Sequence, residues 1–137
     1  MYKLKSEYCG QKKNKGFTLT ELLIVVAIIS VLVAISIPIF SSQLHKAKVA
    51  TDWANLRSYY AEIQADYIST GEYNLKIKVD WSENPSYDWH SVTLLNGKKI
   101  EMKTGICAVS FTEGSGYSIE YECNKGDTEC HLSLPVK

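Results

Sequence analysis

The sequence lacks almost everything that covalent catalysis needs. Its three histidines, His45, His90 and His131, lie far apart along the chain, and there is neither a G-x-S-x-G nucleophile turn nor a glycine-rich phosphate loop. No enzyme is expected, with no catalytic residue and no cofactor. Net charge is also lacking, with 15 Lys+Arg against 15 Asp+Glu, and there are only eight glycines and three prolines. Supercharged, collagen-like and disordered chains are thereby excluded. At 137 residues there is room for one small domain and an appendage, and none for a large multidomain enzyme.

What is present is unevenly distributed. Lys3, Lys5, Lys12, Lys13 and Lys15 with one acid, Glu7, give the first sixteen residues a charge of +4, and the remaining 121 carry −4. Residues 22–40, LLIVVAIISVLVAISIPIF, then run for 19 positions without a charge, enough to span a bilayer. Positive flanks stay in the cytoplasm, so everything after residue 40 is expected outside. A secretory signal peptide has the same outline, but this run is longer than such a core. No A-x-A-like site follows Phe40, and the sequence beyond it continues as helix. The small residue suited to a cut is Gly16, in front of the run, where glycine lets the backbone lie extended in a narrow protease cleft. Cutting there removes the charges and keeps the apolar helix.

Glu21 sits at the edge of the span, where a carboxylate costs on the order of a few kcal/mol. It has two readings. It favours the positive end of the helix dipole while snorkelling to the interface, or it meets the new Phe17 amine, four residues back and about 6 Å away along a helix. Pro38 removes one backbone hydrogen bond and bends or weakens the helix, or is a tolerated membrane proline.

Further on, Val49, Trp53, Leu56, Tyr60, Ile63 and Tyr67 recur at helical spacing, with Lys48, Asp52, Asn55, Glu62 and Asp66 on the other face. Gly71 has the position of a helix terminator, so a single helix of about 54 residues, roughly 80 Å long, is expected over 17–70. Leu75, Ile77, Val79 and Trp81 alternate with polar residues as a half-buried strand, and 82–90 reads as a loop. Asn96-Gly97 marks a two-residue hairpin between 91–95 and 98–103, which sets Leu94 opposite Lys99. A three-residue turn at 114–116 pairs Val109 with Tyr121 and Phe111 with Ile119. That register puts Cys107 opposite Cys123, in a hydrogen-bonded pair poorly suited to a direct bridge. Pairing Cys123 with Cys130 instead sets Tyr121 opposite Leu132 and Ile119 opposite Leu134.

The string KNKGFTLTELLIVVAIISVLVAISIPIF, residues 13–40, resembles the type IV prepilin signature: a basic leader, Gly16, Phe17, the aliphatic Leu19, Glu21 and Pro38. Thr20 stands where an aliphatic residue is more usual, and the leader is long for the simplest members. Neither departure touches a residue that processing requires. The resemblance implies an α+β pilin fold, a long N-terminal α-helix packed against a C-terminal antiparallel β-sheet. It implies a leader, 1–16, cut by a prepilin peptidase between Gly16 and Phe17, with N-methylation of Phe17. Residues 17–40 then form the transmembrane and filament-core helix, loosened at Pro38, and 41–137 an extracellular domain of amphipathic helix 41–70 and β-region 74–137. Glu21 takes an assembly role. The partners implied are identical or related pilin subunits, an assembly platform in the membrane, and the membrane itself before assembly.

Cys9 leaves with the leader, so Cys107, Cys123 and Cys130 remain and one is left over. An outside domain permits a disulfide, and the family commonly closes a C-terminal loop with one. Cys123 with Cys130 is the pairing chosen, Cys107 with Cys130 stands next, and no bridge is a third outcome. Cys123, Cys130 and His131 have no recognised zinc spacing and no fourth ligand, so no metal is expected. The function implied is a pilus subunit serving adhesion, motility or aggregation. A pseudopilin of a secretion or DNA-uptake machine is the alternative within the family. From another class comes a membrane-tethered binding module, with Lys76, Lys78, Lys98, Lys99, Lys103, Trp81 and Trp89 as a nucleic-acid patch. Against that patch, the chain from residue 41 has more acids than bases.

Overall fold

The computed structural model describes residues 16–82, 88–125 and 128–136. Helix α1 runs Leu19–Thr70, followed by strands β1 Ser91–Thr93, β2 Lys99–Glu101, β3 Gly105–Thr112 and β4 Gly116–Cys123. A 3₁₀ turn, Thr128–Cys130, leads into β5, Leu132–Leu134. The chain divides into two compact units, the first ending at Ile39 and the second beginning at Phe40. Strands β1 and β2 form one antiparallel pair, and β3, β4 and β5 form an antiparallel sheet in that order. This is an α+β pilin-like fold, one long N-terminal helix with a C-terminal antiparallel sheet.

In the second unit the helix buries Val49, Asp52, Leu56, Tyr59 and Ile63 in one core with Cys107, Val109, Tyr117, Ile119, Tyr121, Leu132 and Leu134. The face is rotated slightly from the expected one: Tyr59 is buried, while Trp53, Tyr60 and Tyr67 are half-buried. The larger correction is Asp52, expected on the solvent side and found fully buried. It stands three residues after Val49 and four before Leu56, which is the buried stripe's own spacing. Its carboxylate accepts the Lys103 N–H at 2.6 Å, the Thr104 N–H at 3.0 Å and the Tyr121 hydroxyl at 2.9 Å, so it ties helix to sheet.

Residues 75–81 are not a strand. Asn74 Oδ1 accepts the Lys76 N–H at 3.0 Å, an Asx turn that competes with extended backbone. Of the alternating apolar set only Ile77 is buried, while Leu75 and Trp81 are exposed. The loop expected at 82–90 falls partly outside the described residues, and Trp89 forms an isolated bridge with Cys107.

Both hairpin registers differ from expectation. In the first, Val92 pairs with Ile100 and Thr93 with Lys99, so the connection is three residues long, with Gly97 at φ 85. The one-residue shift sets apolar Val92 against apolar Ile100. In the second, Val109 pairs with Ile119 and Phe111 with Tyr117, two residues from the expected alignment, which leaves every side chain on its expected face. Gly116 is the cause. It lies in β4 rather than in the turn, with φ 87, and a Cβ there would come within 2.6 Å of Gln64. Gln64 grips this turn, donating to the Ser115 carbonyl at 3.2 Å and accepting the Tyr117 N–H at 3.0 Å. Between β4 and β5, Ile119 faces Leu134 and Tyr121 faces Leu132, the apolar pairing expected there.

Candidate processing and assembly site

Gly16, Phe17 and Thr18 precede the helix in irregular backbone, Phe17 is 88% exposed, and among the described residues none beyond its chain neighbours comes within 4 Å of a Cβ built on Gly16. The helix begins at Leu19 rather than at Phe17 because Thr18 caps it. The Thr18 N–H and hydroxyl both donate to Glu21 Oε2 at 2.8 Å, and Thr18 Oγ1 accepts the Glu21 N–H at 3.2 Å. This is a reciprocal capping box, which satisfies amides that a helix start leaves open. The spelling T-x-x-E at 18–21 carried that signal, and the sequence reading missed Thr18's part in it.

Both Thr18 bonds use the same oxygen of Glu21, Oε2, and among the described residues Oε1 has no hydrogen-bond partner. The box also aims the carboxylate back along the chain, toward the residue that would carry a new terminus if the chain were cut after Gly16.

Beyond Glu21 the helix presents apolar side chains all round. From Leu22 to Phe40 the large apolar residues are 46% to 67% exposed, and the segment is long and apolar enough to cross a membrane. Polar side chains here turn inward on the backbone: Ser30 donates to the Val26 carbonyl and Ser36 to the Leu32 carbonyl, each at 2.7 Å. Pro38 lies inside the helix and supplies no N–H to the Ala34 carbonyl. The boundary between the two compact units follows at Ile39 and Phe40.

A family model described as the prokaryotic N-terminal methylation motif matches residues 11–37. Over 135 residues the chain is 28% identical to a fimbrial protein of Neisseria meningitidis, covering 90% of this chain and 75% of that one. It is 39% identical over 62 residues to the type IV major pilin protein PilA of Myxococcus xanthus, covering 45% of this chain and 28% of that one. In its N-terminal motif and in these relatives the chain is similar to the type IV pilins. The chain is also 48% identical over 63 residues to the type IV narrow pilus major component PilA5 of Thermus thermophilus, covering 42% of this chain and 54% of that one. The chain thus spans about half or less of the last two relatives. No solved structure matches it.

The remaining residues singled out from the sequence lie in the second unit. Cys123 and Cys130 are joined by a disulfide, with Cα atoms 5.8 Å apart. Cys107 is a buried free thiol, pushed up to about 12 by burial and by the nearby Asp52 charge. His131 faces Glu120 at 3.6 Å. The histidine beside the cysteines is instead His45, which the sequence reading did not connect with them because it stands more than seventy residues earlier. Of the lysines and tryptophans considered as a patch, Lys78 lies 4.4 Å over the Trp89 ring, and Lys99 pairs with Glu101 at 3.1 Å. Two of the cations are thus already engaged within the domain.

Proposed function

We propose that this chain is a structural subunit of a type IV pilus and not an enzyme. It is made as a single-pass membrane precursor with its N-terminus inside, and is cut between Gly16 and Phe17 by a prepilin peptidase. It is methylated on the Phe17 amine and added to a filament of identical or related subunits by an assembly platform. In this reading 1–16 is the leader, 17–40 the filament-core helix and 41–137 the exposed domain. The observation that carries it is the conjunction at residues 16–40: an exposed Phe17 after Gly16, a carboxylate aimed toward it, and an apolar helix that packs against nothing among the described residues.

The physical sequence follows from those groups. In the bilayer the helix is already solvated by lipid, whose tails are as apolar as its own side chains, so moving it into a filament gains little hydrophobic free energy. Assembly therefore needs work from a machine, and its register needs a specific polar contact. Glu21 supplies that contact. With Oε2 holding Thr18, Oε1 takes the Phe17 amine of its own chain or of a neighbour shifted along the axis. Methylation leaves the amine basic, so the pair stays charged. At Pro38, which offers the Ala34 carbonyl no N–H, the helix has a weak point where it can loosen as subunits pack. The experiment is Gly16→Trp: the precursor is expected to accumulate uncut in the membrane and to be missing from surface filaments. Normal processing of that variant contradicts the proposed junction.

A further inference from the structure

At the start of the second unit, His45 on α1 lies against the Cys123–Cys130 pair. One of its ring nitrogens and the two sulfurs lie within 4.8 Å of one another. Both cysteines are buried, at 3% and 5% exposure. The imidazole is held at Nδ1, 3.4 Å from the Thr104 hydroxyl, and Thr104 is anchored by its own N–H to Asp52. Nε2 is buried without a hydrogen-bond partner among the described residues. Such a group costs free energy, and an apolar side chain would fill the same place without that cost. A ligand for Nε2 gives the histidine a reason to be there.

We propose that Cys123, Cys130 and His45 form a Zn²⁺ site that comes into being when the disulfide is reduced. Two equivalents of a small-molecule thiol open the bridge: the protein S–S bond breaks, the reductant is oxidised to its own disulfide, and two cysteine thiols result. Zn²⁺ then displaces both thiol protons into solvent and binds the two thiolates and neutral His45 through Nε2. Tetrahedral zinc, with Zn–S about 2.3 Å and Zn–N about 2.0 Å, sets its ligand atoms roughly 3.5 Å apart. Once the sulfurs are no longer bonded to each other, the cluster reaches that spacing by small side-chain movements. The fourth position is reached from a pocket of about 350 Å³ lined by His45, Cys130, Ser42, Lys46 and Glu129, from which water or the Glu129 carboxylate supplies the last ligand. Thr104 at Nδ1 is the outer contact that orients a ligating histidine. The site has a structural consequence that the disulfide lacks. The bridge connects two points of the C-terminal loop, whereas the metal ties that loop to α1.

The test uses the full-length chain in detergent, reduced and kept free of oxygen, titrated with Co²⁺ as the spectroscopic stand-in for Zn²⁺. Thiolate-to-cobalt charge-transfer absorption and intense tetrahedral d–d bands are expected at one equivalent, bleached by added Zn²⁺ and absent from the oxidised chain. Zn²⁺ is also expected to slow alkylation of Cys123 and Cys130, read peptide by peptide in a mass spectrometer, while leaving Cys9 reactive. Loss of an outer-shell partner in Thr104→Val weakens Co²⁺ by about ten- to a hundredfold, and His45→Ala weakens it by more than that, with circular dichroism confirming that each variant is folded. Absence of the charge-transfer bands in the reduced wild-type chain overturns the proposal. So does a folded His45→Ala chain that keeps both its cobalt affinity and its zinc protection of the two cysteines.

Discussion

At Asp52 and Glu21 two carboxylates of one helix serve different ends, and single substitutions separate them. Asp52 is enclosed, and it accepts three hydrogen bonds, from two backbone amides and a hydroxyl. Asp52→Ala leaves two amides and a hydroxyl unpaired in the core, and is expected to destabilise the domain by on the order of 3 kcal/mol or more. Asp52→Asn keeps one acceptor oxygen and is expected to cost less. Denaturant titration followed by near-ultraviolet circular dichroism measures both. Glu21 is exposed in the isolated subunit, so Glu21→Val is expected to leave the domain's stability unchanged and to be processed and inserted normally. In the proposed filament, by contrast, its removal would leave a Phe17 ammonium buried without a partner, at roughly 3 to 5 kcal/mol for each subunit added. The expected result is no filaments when Glu21→Val is the sole copy, and a milder defect when wild-type subunits are present. Counting filaments by electron microscopy in the two backgrounds checks it, and normal filaments from the sole copy would favour the helix as a mere tether.

Among the elements, the helix was the most legible. Its charge-free span, its end before Gly71 and most of its periodic face were written in residue types, while a two-residue start, a slight rotation of the buried face toward Tyr59 and one buried acid differed. The strands were legible as far as pattern and turn chemistry reach. Residues 75–81 alternate as a strand does, yet Asn74 caps the backbone into a turn, a local competition that alternation does not display. The two hairpins were placed correctly, but their registers depended on contacts distant in sequence. Gly116 looked like a turn residue because glycine usually is one, whereas its place is set by Gln64 and Tyr67 pressing on it from the helix. The partnership of His45 with the two cysteines was illegible for the same reason, since only the folded chain brings them together. A comparison of glycines follows from this difference. Gly97 and Gly116 both have positive φ, but nothing lies within 4 Å of a Cβ at Gly97. Gly97→Ala is therefore expected to cost only the left-handed backbone penalty, about 1 to 2 kcal/mol. Gly116→Ala adds a collision with Gln64 and Tyr67 and is expected to cost more. Equal losses for the two, measured by denaturant titration, would remove the helix contact as the reason for the register.

For the molecule as a whole, stability resides in the second unit and the proposed assembly role in the first, and pH acts on stability. Burial raises the Cys107 thiol from 9.0 to about 12 and also raises the Tyr59 and Tyr121 hydroxyls above their ordinary 10.0. These groups are neutral when protonated, and the unfolded chain gives up their protons first. Their contribution is thus fully present below about pH 9 and is lost as pH climbs toward the folded values. The second unit is expected to lose stability from about pH 9 upward, and Cys107→Ala should flatten the early part of that fall. The other unit carries no folded core of its own among the described residues and has its apolar surface exposed, which is why polymerisation is the function proposed for it. The most direct measurement of that claim is intact-mass and terminal-peptide analysis of filaments sheared from the cell surface. The account predicts that this chain is a main component, beginning at an N-methylated Phe17 with residues 1–16 gone. Filaments that lack the chain, or that carry it with residues 1–16 still attached, would contradict it.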